Sequence, residues 1–249
     1  MNGTAMPRVN HSAQSLSEVE QVGTITKNLL YVRCENCGYR LKYHGKKWCS
    51  RCIAICDRKQ RITDEKAEIQ ICHIVEPLYL DAKMDDLSDE LKVKLEALEP
   101  GRDVFFCGPI DSGKTYAMAA LIRKYIYEGY KCARINFDDF CVKVRSAMSP
   151  ASKLTEWDMI EPMKNIDKLF IDDLGLRSKQ ETDFAYVTFY SLINKRQERL
   201  LPTFISSNKG IDRLTEAFDS RIASRLSMAL IIEMNELGHR PKRWTKQTD

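Results

Sequence analysis

Residues 108 to 115 read Gly108-Pro109-Ile110-Asp111-Ser112-Gly113-Lys114-Thr115, a complete Gly-x4-Gly-Lys-Thr phosphate loop. The apolar run from Asp103 to Cys107 precedes it and reads as a buried strand; Tyr116 to Glu128 follows it and reads as an amphipathic helix. This context fixes the local fold, because such a loop works by turning backbone N–H groups and a helix N-terminus toward a polyphosphate. Its glycines let the backbone approach the ligand. Lys114 is expected to reach the β- and γ-phosphates, and the Thr115 hydroxyl to hold Mg²⁺. A chain built this way is expected to bind a nucleoside triphosphate such as ATP.

The sequence after the loop alternates strand-like and helix-like segments, which predicts a parallel, doubly wound α/β sheet. Lys131 to Phe137 reads as a second strand, with Asp138 and Asp139 capping the helix that follows. Lys168-Leu-Phe-Ile-Asp172-Asp173 is an apolar strand ending in two acids, which delivers carboxylates to the catalytic edge of a parallel sheet. Asp172 is expected to act on Mg²⁺ through its water shell, and Asp173 to orient and polarise the attacking water. Thr182 to Arg199 reads as a helix, and Pro202 to Asn208 as a strand that ends in polar residues. Asn208 is placed to hydrogen-bond the lytic water or the γ-phosphate, although Asn also favours turns at strand ends. A helix over 211–225 and a strand over 229–234 complete the pattern.

Upstream, Cys34-x2-Cys37-Gly38 and Cys49-x2-Cys52 form two knuckles eleven residues apart. Four thiolates in two close pairs suit tetrahedral Zn²⁺, and the glycine permits a tight turn. The intervening residues 39–43 and Trp48 read as a short hairpin turning near His44-Gly45. Cys56 and the Cys72-His73 pair are alternative ligands with poorer spacing. A module this small buries little apolar surface, so the metal would be its main stabiliser. Nine cysteines without a secretion signal point to metal ligation or buried thiols, and to a cytoplasmic protein.

Charge separates the two parts. Between residues 30 and 61 there are nine Lys or Arg against two acids, a local +7 in a chain whose total is +4. Basic charge with Tyr39, Tyr43 and Trp48 fits either nucleic-acid contact or a protein-docking surface. The expected organisation is a polar tail over 1–28, a zinc-ribbon module over 29–60, a helical linker over 61–99 and an ATPase domain over 100–249. Leu87, Leu91, Leu95 and Leu98 mark an amphipathic helix in the linker, and Glu99-Pro100-Gly101 breaks the chain before the nucleotide-binding strand. No apolar run is long enough to cross a membrane.

The phosphate loop, the phrase Phe170-Ile-Asp-Asp-Leu-Gly175, Ser206-Ser-Asn208 and Asp219-Ser-Arg221-Ile-Ala-Ser-Arg225-Leu226 together resemble the DnaC/DnaI-type bacterial or phage helicase loaders and the related IstB-type transposition ATPases, a branch of the AAA+ superfamily. The resemblance covers roughly residue 103 to the C-terminus. It implies an AAA+ ATPase in which Asn208 is sensor 1 and Arg225 is an arginine finger inserted into a neighbouring copy's ATP site, with Arg221 beside it. It also implies a sensor 2 arginine after the last strand. Arg240 occupies that place by distance, with Lys242 and Arg243 as substitutes, but the Ser and Tyr usual before it are missing.

The implied function is an ATP-dependent loader in replication initiation. It would bind a DnaB-type replicative helicase through its N-terminal region, bind single-stranded DNA through its AAA+ domain, and self-associate through its ATP sites. Phe137, Phe140, Lys143 and Arg145 are candidate DNA contacts, with Phe140 also at core-like helical spacing. An IstB-like transposition helper remains open, as does a zinc-ribbon DNA-binding protein with a non-hydrolysing nucleotide switch.

Overall fold

In the computed structural model the described residues are 31–42, 48–149, 151–175, 182–211, 213 and 220–235. The expected N-terminal tail, the His44-Gly45 turn and Arg240 with its substitutes lie outside them. The first element is an antiparallel hairpin of β1 (Tyr31–Arg33) and β2 (Arg40–Lys42). Helices α1 (Ser50–Arg61), α2 (Asp64–Ile74) and α3 (Asp89–Glu96) follow, with short 3₁₀ turns at Pro77–Tyr79 and Met84–Asp86. Then come β3 (Val104–Cys107), α4 (Lys114–Tyr127), β4 (Cys132–Asn136), α5 (Phe137–Ala147), α6 (Glu156–Asn165), β5 (Lys168–Asp172), α7 (Thr182–Glu198), β6 (Thr203–Ser207), α8 (Ser220–Leu226) and β7 (Leu230–Glu233).

Strands β3 to β7 form one parallel sheet in the order β4-β5-β6-β3-β7. Strand residues alternate between its two faces, as pleating requires. Val104, Phe106, Phe170 and Phe204 pack with α2 and α4 on one face, where the Phe170 and Phe204 rings stack at 4.6 Å. Phe105, Ile171 and Ile205 pack with Phe137, Phe189 and Leu226 of α5, α7 and α8 on the other. Every residue of β3, β5 and β6 is buried, the pattern expected of strands covered on both sides.

Four details differ from the sequence reading. Residues 40–42 pair back to 31–33 across the first Cys pair, with Gly38 at φ +69° reversing the chain directly after Cys37, while the turn expected at His44-Gly45 lies outside the described residues. The second pair opens helix α1, where the Cys49 side chain accepts from the Cys52 amide as N-cap. Asn136, not Asp138 or Asp139, caps α5 by accepting from the Asp139 amide. The segment read as a linker contributes Ala67, Ile71, Val75 and Leu95 to the same core cluster as α4. The 61–99 region is therefore packed into the sheet layer it precedes.

The Cys module sits at the N-terminal ends of the strands, opposite the phosphate loop. Arg58 of α1 donates to the Gly129 carbonyl at 2.7 Å and pairs with Asp167 just before β5. Arg51 donates to the Arg199 carbonyl at 3.3 Å. Gly129, at φ +83°, lets α1 come close: a Cβ there would lie 2.5 Å from the Ile55 carbonyl oxygen.

Candidate functional site

The phosphate loop runs from the end of β3 into the first turn of α4. Gly108 answers to two demands at once: it sits at φ +154°, and a Cβ would lie 2.0 Å from the carbonyl oxygen of Met234, just past the end of β7. Gly113, at φ +87°, is the left-handed N-cap of α4, and Asp111 takes φ +67° within the loop. The first amides of a helix have no partner within it, so the start of α4 offers donors and a positive dipole end to phosphate. Lys114 is 7% exposed and folds back over the loop, donating to the Gly108 and Pro109 carbonyls at 2.9 and 2.6 Å and to Ser112 Oγ at 3.2 Å. Burial lowers its pKa below the ordinary lysine value, against the pull of Asp172 and Asp173. An ammonium satisfied only by neutral groups gains when phosphate oxygens replace them.

Strand β5 brings the acid pair to the loop. Asp172 Oδ1 accepts from Thr115 Oγ1 at 3.4 Å, from the Asp173 amide at 3.1 Å and from Ser206 Oγ of β6. Its other oxygen accepts from Arg134 Nη2 of β4, and Arg134 also pairs with Glu76 at 3.0 Å. Asp173 follows in a left-handed conformation, φ +55°, which the hydrogen bond its backbone N–H donates to Ser206 Oγ at 2.9 Å helps to hold. Its carboxylate accepts from Asn208 Nδ2 at 3.1 Å. Lys114, Thr115, Asp172, Asp173 and Asn208 thus converge on one cavity of about 550 Å³, which Ile110 to Gly113 also line.

Several groups at this site were given no role in the sequence reading. Ser206 joins the two acids, Arg134 supplies the countercharge to Asp172, and Tyr79 closes one wall of the cavity. A second cavity of about 380 Å³ shares Ser112, Gly113 and Tyr116; Leu87, Leu91, Ile232 and Met234 line it together with Asp86, Glu90, Lys94, Glu233 and Asn235. Tyr116 OH donates to Asp86 at 2.7 Å.

Arg225 and Arg221 are not brought to this cavity. Their guanidinium carbons lie 5.5 and 5.4 Å from the centre of the Tyr190 ring on α7. Arg225 Nη1 donates to Gln197 at 3.4 Å, and its buried Nε has no hydrogen-bond partner among the described residues. Phe137 and Phe140 are buried, with exposures of 0% and 6%, so neither offers a ring for stacking on a base. This corrects the expectation for those two residues; Lys143 and Arg145 are exposed.

At the far end of the sheet, the sulfurs of Cys34, Cys37, Cys49 and Cys52 all lie within 4.8 Å of one another. The Cys34–Cys52 and Cys37–Cys49 separations are 3.7 Å. A tetrahedron with Zn–S bonds of about 2.3 Å has S···S edges of roughly 3.8 Å, so the donor set fits Zn²⁺. The Cys49 amide donates to Cys34 at 3.3 Å, and Asn36 Nδ2 to Cys52 at 3.3 Å, which favours thiolates. Cys56 and Cys72 are not in this cluster.

A phosphate loop between β3 and α4, with acids from the adjoining parallel strands, defines a P-loop nucleotide-binding domain. Residues 90–233 match the family model of the bacterial DnaA ATPase domain, and the chain belongs to that family. It is 20% identical over 123 residues to the replicative helicase loader DnaC of Buchnera aphidicola subsp. Acyrthosiphon pisum (strain APS), a match covering 49% of each chain. The chain therefore spans about half the length of that relative. Its fold is similar to a crystal structure of the DnaC helicase loader, with TM-score 0.55, 18% identity, and coverage of 64% of this chain and 100% of the other. It is also similar to the replication initiator DnaA bound to AMPPCP and single-stranded DNA, with TM-score 0.55, 19% identity, and coverage of 66% and 53%. The expected AAA+ fold and the likeness to DnaC-type loaders are borne out. Among the described residues no helix is long and apolar enough to cross a membrane.

Proposed function

We propose that this chain is an ATP-hydrolysing assembly factor of DNA replication, a loader for a DnaB-type replicative helicase. One observation carries the reading. Lys114, Thr115, Asp172, Asp173 and Asn208 share a cavity, while Arg221 and Arg225 lie together on the α7–α8 flank and do not line it. Such a site can bind ATP alone and is finished for hydrolysis when a second copy contributes its arginine. A cation supplied in trans stabilises charge that develops on the transferred phosphoryl group, so turnover depends on assembly.

Within one copy, the α4 N-terminus and Lys114 hold the phosphates, and the adjoining second cavity, with both aliphatic and polar side chains in its lining, receives the base. Thr115 and Asp172 are the residues that would hold Mg²⁺, which supplies charge neutralisation at the β- and γ-phosphates. Asp173 accepts the proton of the attacking water and directs its lone pair at the γ-phosphorus. Asn208 positions Asp173 through its 3.1 Å hydrogen bond. Ser206 keeps both acids in register.

The DnaC relative supports the loader role, and the basic Cys module supports a docking role for the N-terminal region with Zn²⁺ held by Cys34, Cys37, Cys49 and Cys52. Single-stranded DNA is the proposed ligand of the AAA+ domain. Lys143 and Arg145 supply phosphate contacts, and the exposed Trp157 stands in for the buried phenylalanines.

The test is to purify the tagged chain from its native host with ATP present and identify its partners. The loader reading expects a replicative helicase that is lost with Cys34→Ser and Cys37→Ser. A transposase in its place, or DNA with no protein partner, would overturn it.

A further inference from the structure

Behind the sheet, away from the nucleotide, lies a groove of about 370 Å³ between the end of α1, the first turns of α2 and the α4–β4 turn. Among the described residues four cationic side chains line it, Arg58, Arg61, Lys66 and Lys131, and no carboxylate does. Arg58 is already engaged, by Asp167 and the Gly129 carbonyl. Arg61, Lys66 and Lys131 are exposed, and none of the three has an ion pair among the described residues. The nearby Asp167 is occupied too, accepting from Arg58 and from the Lys131 amide at 2.9 Å. The groove floor is apolar, formed by Ile62, Ile126 and Tyr130.

We propose that this groove is a docking site for an acidic protein segment that inserts an aliphatic side chain between the three cations, an inference that rests on the loader reading and names the surface by which the N-terminal region holds its partner. Like charges gathered around an apolar floor are unfavourable to each other until an anionic partner neutralises them, so the groove is complementary to acid and hydrocarbon together. The floor decides between protein and nucleic acid. Binding of single strands draws on aromatic faces, and among the described residues Tyr130 is the one aromatic lining this groove. Its ring is already in use: Lys168 Nζ sits 4.5 Å from its centre, and the Tyr125 ring meets it edge-on at 5.6 Å. Aliphatic Ile62 and Ile126 match a Leu or Ile flanked by Glu or Asp. The groove is also at the opposite end of the strands from Asp172 and Asn208, so an occupant leaves the nucleotide cavity open.

The experiment uses the full chain and two fluorescent probes, a peptide of about twelve Leu and Glu residues spaced to put Leu on one helical face, and an oligo-dT of similar charge. Anisotropy is read for wild type, for Arg61→Glu with Lys66→Glu, and for Lys131→Glu as a second variant; binding of a fluorescent ATP analogue confirms the fold. The proposal expects salt-sensitive peptide binding that weakens by about ten-fold or more in both charge-reversed proteins, with ATP binding and oligo-dT binding unchanged. Absence of peptide binding, or affinity within two-fold of wild type in both variants, would overturn it, and loss of oligo-dT in place of peptide would make the groove a nucleic-acid site. Co-purification of helicase is read in parallel. If wild type holds no helicase the loader reading fails, while if wild type holds it and the variants hold it equally, only the groove assignment fails.

Discussion

Replacing Arg134 with Met tests whether the acid at the end of β5 depends on a buried countercharge. The Arg134 and Asp172 side chains are 11% and 6% exposed, so solvent screens their attraction weakly. Removing one partner of a buried pair costs about 3–5 kcal/mol, because the other charge stays behind in a poorly solvating site. Asp172 would keep Ser206, Thr115 and the Asp173 amide as donors, which sets the expected cost near the lower end, about 3 kcal/mol. Loss of the Glu76 pair adds at most about 1 kcal/mol, since Glu76 is more than half exposed. Urea unfolding of wild type, Arg134→Met, Asp172→Asn and the double variant gives a cycle, with an expected coupling of about 2–3 kcal/mol. Added ATP with Mg²⁺ should stabilise Arg134→Met more than wild type, because the ion supplies the missing positive charge. A cost below about 1 kcal/mol, or coupling within about 0.5 kcal/mol of zero, would refute the argument.

Three further outcomes follow from the same geometry. Gly108→Ala places a methyl group against the Met234 carbonyl oxygen and should abolish ATP binding or reduce folded yield; tight binding of a fluorescent ATP analogue by a folded variant would contradict this. Arg196 is fully buried and donates to Thr203 Oγ1 and to the Met163, Ile166 and Pro202 carbonyls, so Arg196→Met should cost about 3 kcal/mol or more in urea unfolding. Metal analysis should find one Zn²⁺ per chain, released by thiol-reactive mercurial, with loss of α1 helicity but retained ATP binding; a metal-free protein with the same circular dichroism spectrum would count against the Cys site.

The parts of the site legible in the sequence were those with a local signature. A glycine loop between an apolar strand and a helix, and an apolar run stopped by two acids, each declare their chemistry within a few residues. Ser206 and Arg134 do not. Each is a polar residue inside a strand, and only the pairing of β4 with β5 and the placement of β6 beside β5 bring them to Asp172. The Cys spacing was legible as a metal set, whereas the pairing of 31–33 with 40–42 across the first Cys pair was not. Nothing in residues 31–33 marks them as a strand partner, and the tight turn at Gly38 is what brings 40–42 back to β1. Phe137 and Phe140 illustrate a different limit: cations beside aromatics look like a nucleic-acid surface, yet helical spacing turns both rings into the core.

The central claim, that one copy binds ATP and a second copy completes the site, is tested most directly by mixing two defective proteins. Lys114→Ala should lose ATP binding while keeping Arg225, and Arg225→Ala should bind ATP while lacking its cation. Each alone should be inactive as an ATPase, and the mixture should regain activity at junctions that pair an intact loop with an intact arginine. Full turnover by Arg225→Ala alone, or no recovery in a mixture shown to co-assemble, would contradict the account.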